Sequence, residues 1–86
     1  MTALSVDQAT AITLEAVAAV APEVEDEIQS IDPTDDLWEA LGLDSMDHLN
    51  VMTELARRTG VEVAERDYGR LRSVRSLAEH LAATAV

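Results

Sequence analysis

Small and apolar side chains recur every three or four residues from Val6 through Ala9, Thr13, Ala16 and Val17 to Val20, the spacing that lines one face of an α-helix. Ser5 followed by Gln8 reads as a capping box, and Pro22 disfavours continuation, so the pattern predicts a helix from Ser5 to Val20. A second face is written by Met46, Leu49, Val51, Met52, Leu55 and Ala56, and Gly60 stops it. That helix, Ser45 to Thr59, is expected to be the best-buried element. Val61 to Val63 then leads into a third segment of one or two turns, about Arg66 to Leu71, weakened by Gly69. Ser73 caps a fourth helix whose face carries Val74, Leu77, Ala78, Leu81 and Ala85.

No segment alternates as a strand does, and no internal repeat is visible. The chain therefore reads as all-α, a small four-helix bundle with three longer helices and a short third one, forming a single domain over residues 1–86. A long connection from Ala21 to Asp44 carries turn signals at Asp32-Pro33 and Gly42. Its Ile28, Ile31, Leu37, Trp38, Leu41 and Leu43 are expected to pin it to the core, because loops this long in compact domains are usually functional or contain short helical turns.

Composition narrows the chemistry. A chain of 86 residues buries only about 60 % of its unfolded surface, which leaves little room for a catalytic cleft. Of its residues 14 are alanine, none is phenylalanine, and Trp38 and Tyr68 are the only aromatics, so the core must be aliphatic. Without cysteine there is no disulfide, no thiolate zinc site and no thiol nucleophile. The N-terminal stretch has no basic residue and no apolar run long enough for a signal or a membrane span, which fits a soluble cytoplasmic protein.

Charge is unevenly placed. The net charge is −11, which argues against nucleic acid and anionic membranes as partners. Residues 1–54 hold 13 acids and no Lys or Arg, whereas residues 55–86 hold 4 acids and 6 arginines, so the acidic half should face basic partners. His48 and His80 are too few for a metal cluster and read as surface or boundary histidines. The acidic groups at 23–27 and 32–36 lack the ligand spacing of a calcium loop. Leu43 to Asp47 is not a nucleophile elbow, so no catalytic site is expected.

One junction holds more chemistry. Asp44 and Ser45 stand side by side at the start of the second helix, and either can cap it. A helix needs one cap, so a hydroxyl is left at its positive end, where a phosphate is held favourably.

The run GLDSM at 42–46, preceded by Leu37, Trp38 and Leu41, followed by an amphipathic helix ending in Gly60, then Gly60 to Val63 and Leu71 to Val74, resembles the acyl carrier protein family over essentially the whole chain. The resemblance implies that Ser45 receives 4′-phosphopantetheine from coenzyme A through a phosphopantetheinyl transferase, with Asp44 serving the helix start and transferase recognition. The arm's thiol would hold cargo as a thioester and deliver it to other enzymes, at high effective concentration. The protein itself would be a monomeric carrier, not an enzyme. By position the docking face would comprise Glu39, Asp44, Met46, Asp47 and Glu54, meeting basic patches on acyl or aminoacyl ligases, synthases or transferases.

Departures from the familiar fatty-acid pattern are Asn50, where an acid is common, and Ala56, Arg57 and Arg58 in place of an acidic helix end. They point to a specialised lipid, polyketide or related pathway, with Arg57 and Arg58 selecting the partner. Aspartate before the serine resembles acyl carriers more than peptidyl carriers, where histidine is common. The alternatives are an aminoacyl or peptidyl carrier on the same scaffold and a noncovalent acidic adaptor.

Overall fold

Each long helix begins where a side chain takes over a backbone donor. In the computed structural model, which describes residues 4–84, α1 (Val6–Val20) is preceded by Ser5. The Ser5 hydroxyl accepts from the Gln8 N–H at 3.0 Å, and Gln8 Oε1 accepts from the Ser5 N–H at 2.9 Å. A 3₁₀ turn (Pro22–Val24) and a one-turn α2 (Glu25–Ile28) follow, then α3 (Leu37–Ala40), α4 (Ser45–Thr59), a second 3₁₀ turn (Glu65–Asp67) and α5 (Val74–Thr84). Ser73 Oγ accepts from the Ser76 N–H and Ser76 Oγ accepts from the Ser73 N–H, both at 3.0 Å, which starts α5 as the sequence predicts. Ala85, assigned to the apolar face of this helix, lies outside the described residues.

Two glycines end helices in the left-handed region that other residues adopt only at a cost. Gly60 (φ 75°) closes α4 with its N–H on the Ala56 carbonyl at 2.8 Å, and Gly42 (φ 66°) turns the chain out of α3.

The bundle is organised around α1, which packs most extensively against α5 and also against α4. Its Ala9, Ala16 and Val17 are fully buried beside Val51 and Leu55 of α4 and Leu77, Ala78 and Leu81 of α5. Thr13, the one buried polar residue among the described residues, returns its hydroxyl to the Ala9 carbonyl at 2.8 Å and so enters the core without an unpaired donor.

The expectation that α4 is the best-buried element fails. Four of the 11 residues of α5 are buried against three of the 15 of α4, where burial is confined to Val51, Met52 and Leu55 of the apolar stripe. Met46 and Leu49 remain 63 % and 49 % exposed. Val6, assigned to the buried face of α1, is likewise exposed. The third segment also differs. Instead of a helix over 66–71 the chain makes successive i→i+3 turns, with N–H groups of Asp67, Tyr68, Arg70 and Leu71 donating to the carbonyls of Ala64, Glu65, Asp67 and Tyr68. So short a segment, broken by Gly69, fixes too few residues to nucleate an α-helix, and the tighter turn needs less commitment.

The long connection is pinned as its apolar residues predict. Leu37 is fully buried, Trp38 and Ile28 nearly so, and Ile31, Leu41 and Leu43 pack half-buried against the core. Polar contacts stitch the same segment to the start of α5: the Leu37 N–H donates to the Arg72 carbonyl at 2.6 Å and the Arg75 N–H to the Pro33 carbonyl at 2.9 Å. Arg72 Nε donates to Asp36 Oδ2 at 2.6 Å, while Asp36 Oδ1 caps α3 by accepting from the Glu39 N–H at 3.1 Å.

The Arg72 hydrogen bond, assisted by the Glu39 N–H, holds the Asp36 carboxyl below its ordinary value of 3.8. A lowered folded-state value contributes stability that is present above the ordinary value and lost as pH falls through the lowered one. Asp36→Ala, which removes both a cap and an exposed ion pair, should lower unfolding stability by about 1 to 2 kcal/mol near neutral pH, and Arg72→Ala by less than about 1 kcal/mol. Denaturant titrations would measure both, and the difference between wild type and Asp36→Ala should narrow below pH 3.8.

Candidate functional site

The junction of loop and α4 assigns its two polar residues different tasks. Asp44 is extended (φ −88°, ψ −177°), and its Oδ1 accepts from the Asp47 N–H at 2.9 Å. The Asp47 carboxylate reaches back to the Asp44 N–H at 3.4 Å, a long closure of a reciprocal capping box. With the cap occupied, Ser45 is the first residue of the helix. Its side chain is exposed, and no hydrogen bond among the described residues engages its hydroxyl. The hydroxyl thus stands at the positive end of a 15-residue helix, where a bound anion is stabilised by the macrodipole and the free N–H groups of the first turn.

Three of the predicted docking residues, Asp44, Met46 and Asp47, belong to this end of α4. Met46 presents an exposed thioether next to Ser45, Asp47 is half-buried within the cap, and Glu39 is exposed on α3 just ahead of the Gly42 turn. Glu54, Arg57 and Arg58 lie elsewhere and are bound to one another. Glu54 accepts from Arg57 and, at 2.6 Å, from Arg58 Nε, and these hydrogen bonds pull its carboxyl from 4.5 to about 2. Arg58 Nη1 also reaches Glu15 of α1 at 3.3 Å. Glu54 is therefore a neutralised anion, and Arg58 ties α4 to α1, while Arg57 pairs only within its own helix and its side chain is 68 % exposed. The arginines lie about 18 to 20 Å along the axis from Ser45, at the end whose partial negative charge they complement.

The sequence places His48 at the surface or boundary of the fold, where it is half-buried, but does not specify what the residue touches. The imidazole stacks on Trp38 with ring centroids 3.9 Å apart and planes at 20°, and on Tyr68 at 5.0 Å and 26°. Burial pushes its titration below the ordinary 6.5, the Arg72 charge adds to the effect, and Asp36 opposes it. The available signal was scarcity: the only two aromatics of the chain flank one histidine, and a loop tryptophan must find a partner. Beside Tyr68, a cleft of about 250 Å³ opens between α4 and the following segment, with Leu49, Met52, Ala56 and Val63 in its walls and Thr53 and Glu62 also lining it.

Comparison with known proteins identifies the setting of these residues. A family model described as the phosphopantetheine attachment site matches residues 12–81, which include Asp44, Ser45 and all three long helices in whole or large part. No curated protein and no solved structure matched in the corresponding searches.

The cap assignment has a thermodynamic signature. Asp44→Ala should destabilise the protein by about 1 kcal/mol, whereas Ser45→Ala, which removes an exposed and unengaged hydroxyl, should stay within about 0.5 kcal/mol of wild type in the same unfolding assay. Glu54 should keep its charge, and its pairing with both arginines, until pH falls to about 2, as carboxyl NMR titration would show.

Proposed function

The chain belongs to the phosphopantetheine attachment-site family, and from that premise we propose that it is an acyl carrier protein whose prosthetic arm is attached to Ser45. The family carries 4′-phosphopantetheine covalently, so this chain is a phosphopantetheine-carrying protein. The observation that supports Ser45 as the site is its exposed, unengaged hydroxyl at the first residue of α4, with Asp44 holding the cap. A phosphodiester at that position meets the helix N-terminus, so the residues present fit the group. When attached, the arm supplies the thiol that a cysteine-free chain lacks and holds cargo as a thioester.

The protein's own residues have a recognition task. Ser45 offers the oxygen, and a phosphopantetheinyl transferase supplies the catalytic groups. Glu39, Asp44 and Asp47 present negative charge around an apolar contact at Met46, which suits a partner whose basic patch steers encounter and orientation. Acyl cargo rather than aminoacyl or peptidyl cargo is supported by Asp44 before the serine. Asn50, Arg57 and Arg58 support a specialised lipid, polyketide or related pathway, with cognate ligases or synthases as partners. Residues 1–86 act in this reading as one carrier domain, monomeric and cytoplasmic, without catalysis of its own. Among the described residues no helix is long and apolar enough to cross a membrane.

Intact-mass measurement with a phosphopantetheinyl transferase and coenzyme A tests the assignment. Wild type should gain one arm and Ser45→Ala none. An unmodified wild type would make the chain a noncovalent adaptor, and modification of Ser45→Ala elsewhere would move the site.

The docking face has a separate test. Glu39→Lys and Asp47→Lys should slow modification at low salt, and the wild-type rate should fall as salt screens the exposed contacts. Equal rates for all three at low salt would remove electrostatics from recognition.

The two arginines should separate. Arg57→Glu should shift activity toward general fatty-acid enzymes and away from the cognate ligase or synthase with little change in melting temperature. Arg58→Glu should lower the melting temperature, because it breaks the contact to Glu15 of α1.

A further inference from the structure

Three rings from three separate segments meet one helical turn beyond Ser45: Trp38 of α3, His48 of α4 and Tyr68 after the second 3₁₀ turn. Trp38 Nε1 and His48 Nε2 are both buried without a hydrogen-bond partner in the protein. For a neutral imidazole an unpaired Nε2 is a modest penalty. An imidazolium there would bury an N–H⁺ with no acceptor.

The surrounding charges do not relieve it. Arg72, on the approach to α5, repels a second cation. Asp36, the carboxylate acting on His48 from the cap of α3, already has its oxygens taken by Arg72 and the Glu39 N–H. On the third segment Tyr68 stacks on the imidazole, and the charged residues of that segment are Glu65, Arg66, Asp67 and Arg70, of which Asp67 is paired with Arg70. On α4 itself Asp44 and Asp47 lie within about one turn, and both are engaged in the cap. The two ring faces offer some cation–π attraction, but they provide no acceptor for the buried N–H⁺.

We propose that the Trp38–His48–Tyr68 stack is a proton-sensitive latch: neutral His48 holds α3 and the turns at 65–71 against the first turns of α4, and protonation of His48 releases them. Since Tyr68 lines the cleft beside α4, release also moves a wall of that cleft, one turn from Ser45. The latch does not depend on what Ser45 carries. Its sign follows from linkage: closure is favoured above the imidazole's ordinary value of 6.5 and weakens as pH falls below it.

The test uses the whole chain, NMR titration of His48, the emission maximum of Trp38, which is the only tryptophan, and amide exchange at Leu37, whose N–H bonds the Arg72 carbonyl. His48 should titrate below 6.5. Between that value and the folded-state value, the opening constant of the Leu37 amide should rise toward about tenfold per pH unit, corrected for intrinsic exchange. The Trp38 emission should move to the red over the same range. His48→Phe, which keeps a stacked ring without a titrating nitrogen, should abolish both changes, and His80→Gln should keep them. This comparison also removes the general effect of acid on a chain of net charge −11. The same pH step in His48→Phe would overturn the latch, as would a wild-type His48 titrating at or above 6.5 with flat Leu37 exchange. If His48→Phe fails to fold by circular dichroism, the wild-type titration and exchange decide alone.

Discussion

One helix has to serve two neighbours. α1 is the element against which both α4 and α5 pack, and it does so with small side chains: Ala9, Ala16 and Val17 are fully buried, and Thr13 satisfies its hydroxyl on its own backbone. Small residues let two helices approach the same rod, but they fill little volume. The leucines and valines of α4 and α5 fill part of the remaining space, and with no phenylalanine available the rest falls to the long connection, which brings in Ile28, Leu37 and Trp38. The stitching of Pro33, Asp36 and Leu37 to Arg72 and Arg75 follows from that need, because a segment that completes a core must be held in register with it.

The same economy leaves α4 partly uncovered. Val51, Met52 and Leu55 are buried but Met46 and Leu49 are not, so the first turns of α4 carry apolar surface into solvent beside Ser45. Capping by Asp44 leaves the serine hydroxyl unengaged, and the carboxylates of Asp44 and Asp47 flank the exposed methionine in the first turn. At the far end, Glu54, Arg57, Arg58 and Glu15 compensate one another and join α4 to α1. Charge is thus without an ion-pair partner among the described residues at the start of α4 and paired at its far end, where it helps hold the helices together. A chain that belongs to a phosphopantetheine attachment family has to be recognised by the enzymes that load and use its arm.

Much of this was legible in the sequence wherever the governing interaction is local. The capping box of Ser5 and Gln8, the bounds of α4 and its end at Gly60, and the start of α5 after Ser73 depend on side chains within a few residues of the backbone they satisfy, and each lies where the pattern put it. The apolar punctuation of the long connection was legible for the same reason as any core face, since buried leucines and tryptophans must be covered somewhere. The resemblance carried by Gly42 to Met46 together with Gly60 to Val63 and Leu71 to Val74 reached the family because spacing along one chain is all that such motifs require.

What only the tertiary structure decided concerns choices between local options that sequence leaves equal. Asp44 and Ser45 were both adequate caps, and the fold gives the cap to Asp44 by placing its carboxylate on the Asp47 N–H. Whether a helical stripe is buried depends on how far a neighbour extends, so Leu49 and Val6 lie on apolar stripes and are exposed, as is Met46, which the sequence also assigned to the docking face. The segment after Val63 had helical composition but too few residues to nucleate a helix, and the i→i+3 turns that replace it set Tyr68 against His48. Partners distant in sequence, such as Asp36 with Arg72, Glu15 with Arg58 and the three stacked rings, have no local signature. The sequence by itself determined which helices form and where a hydroxyl stands at a helix start, because those depend on nearest neighbours along the chain. Which charges are spent on the fold, and which remain free for a partner, was decided only when the chain closed.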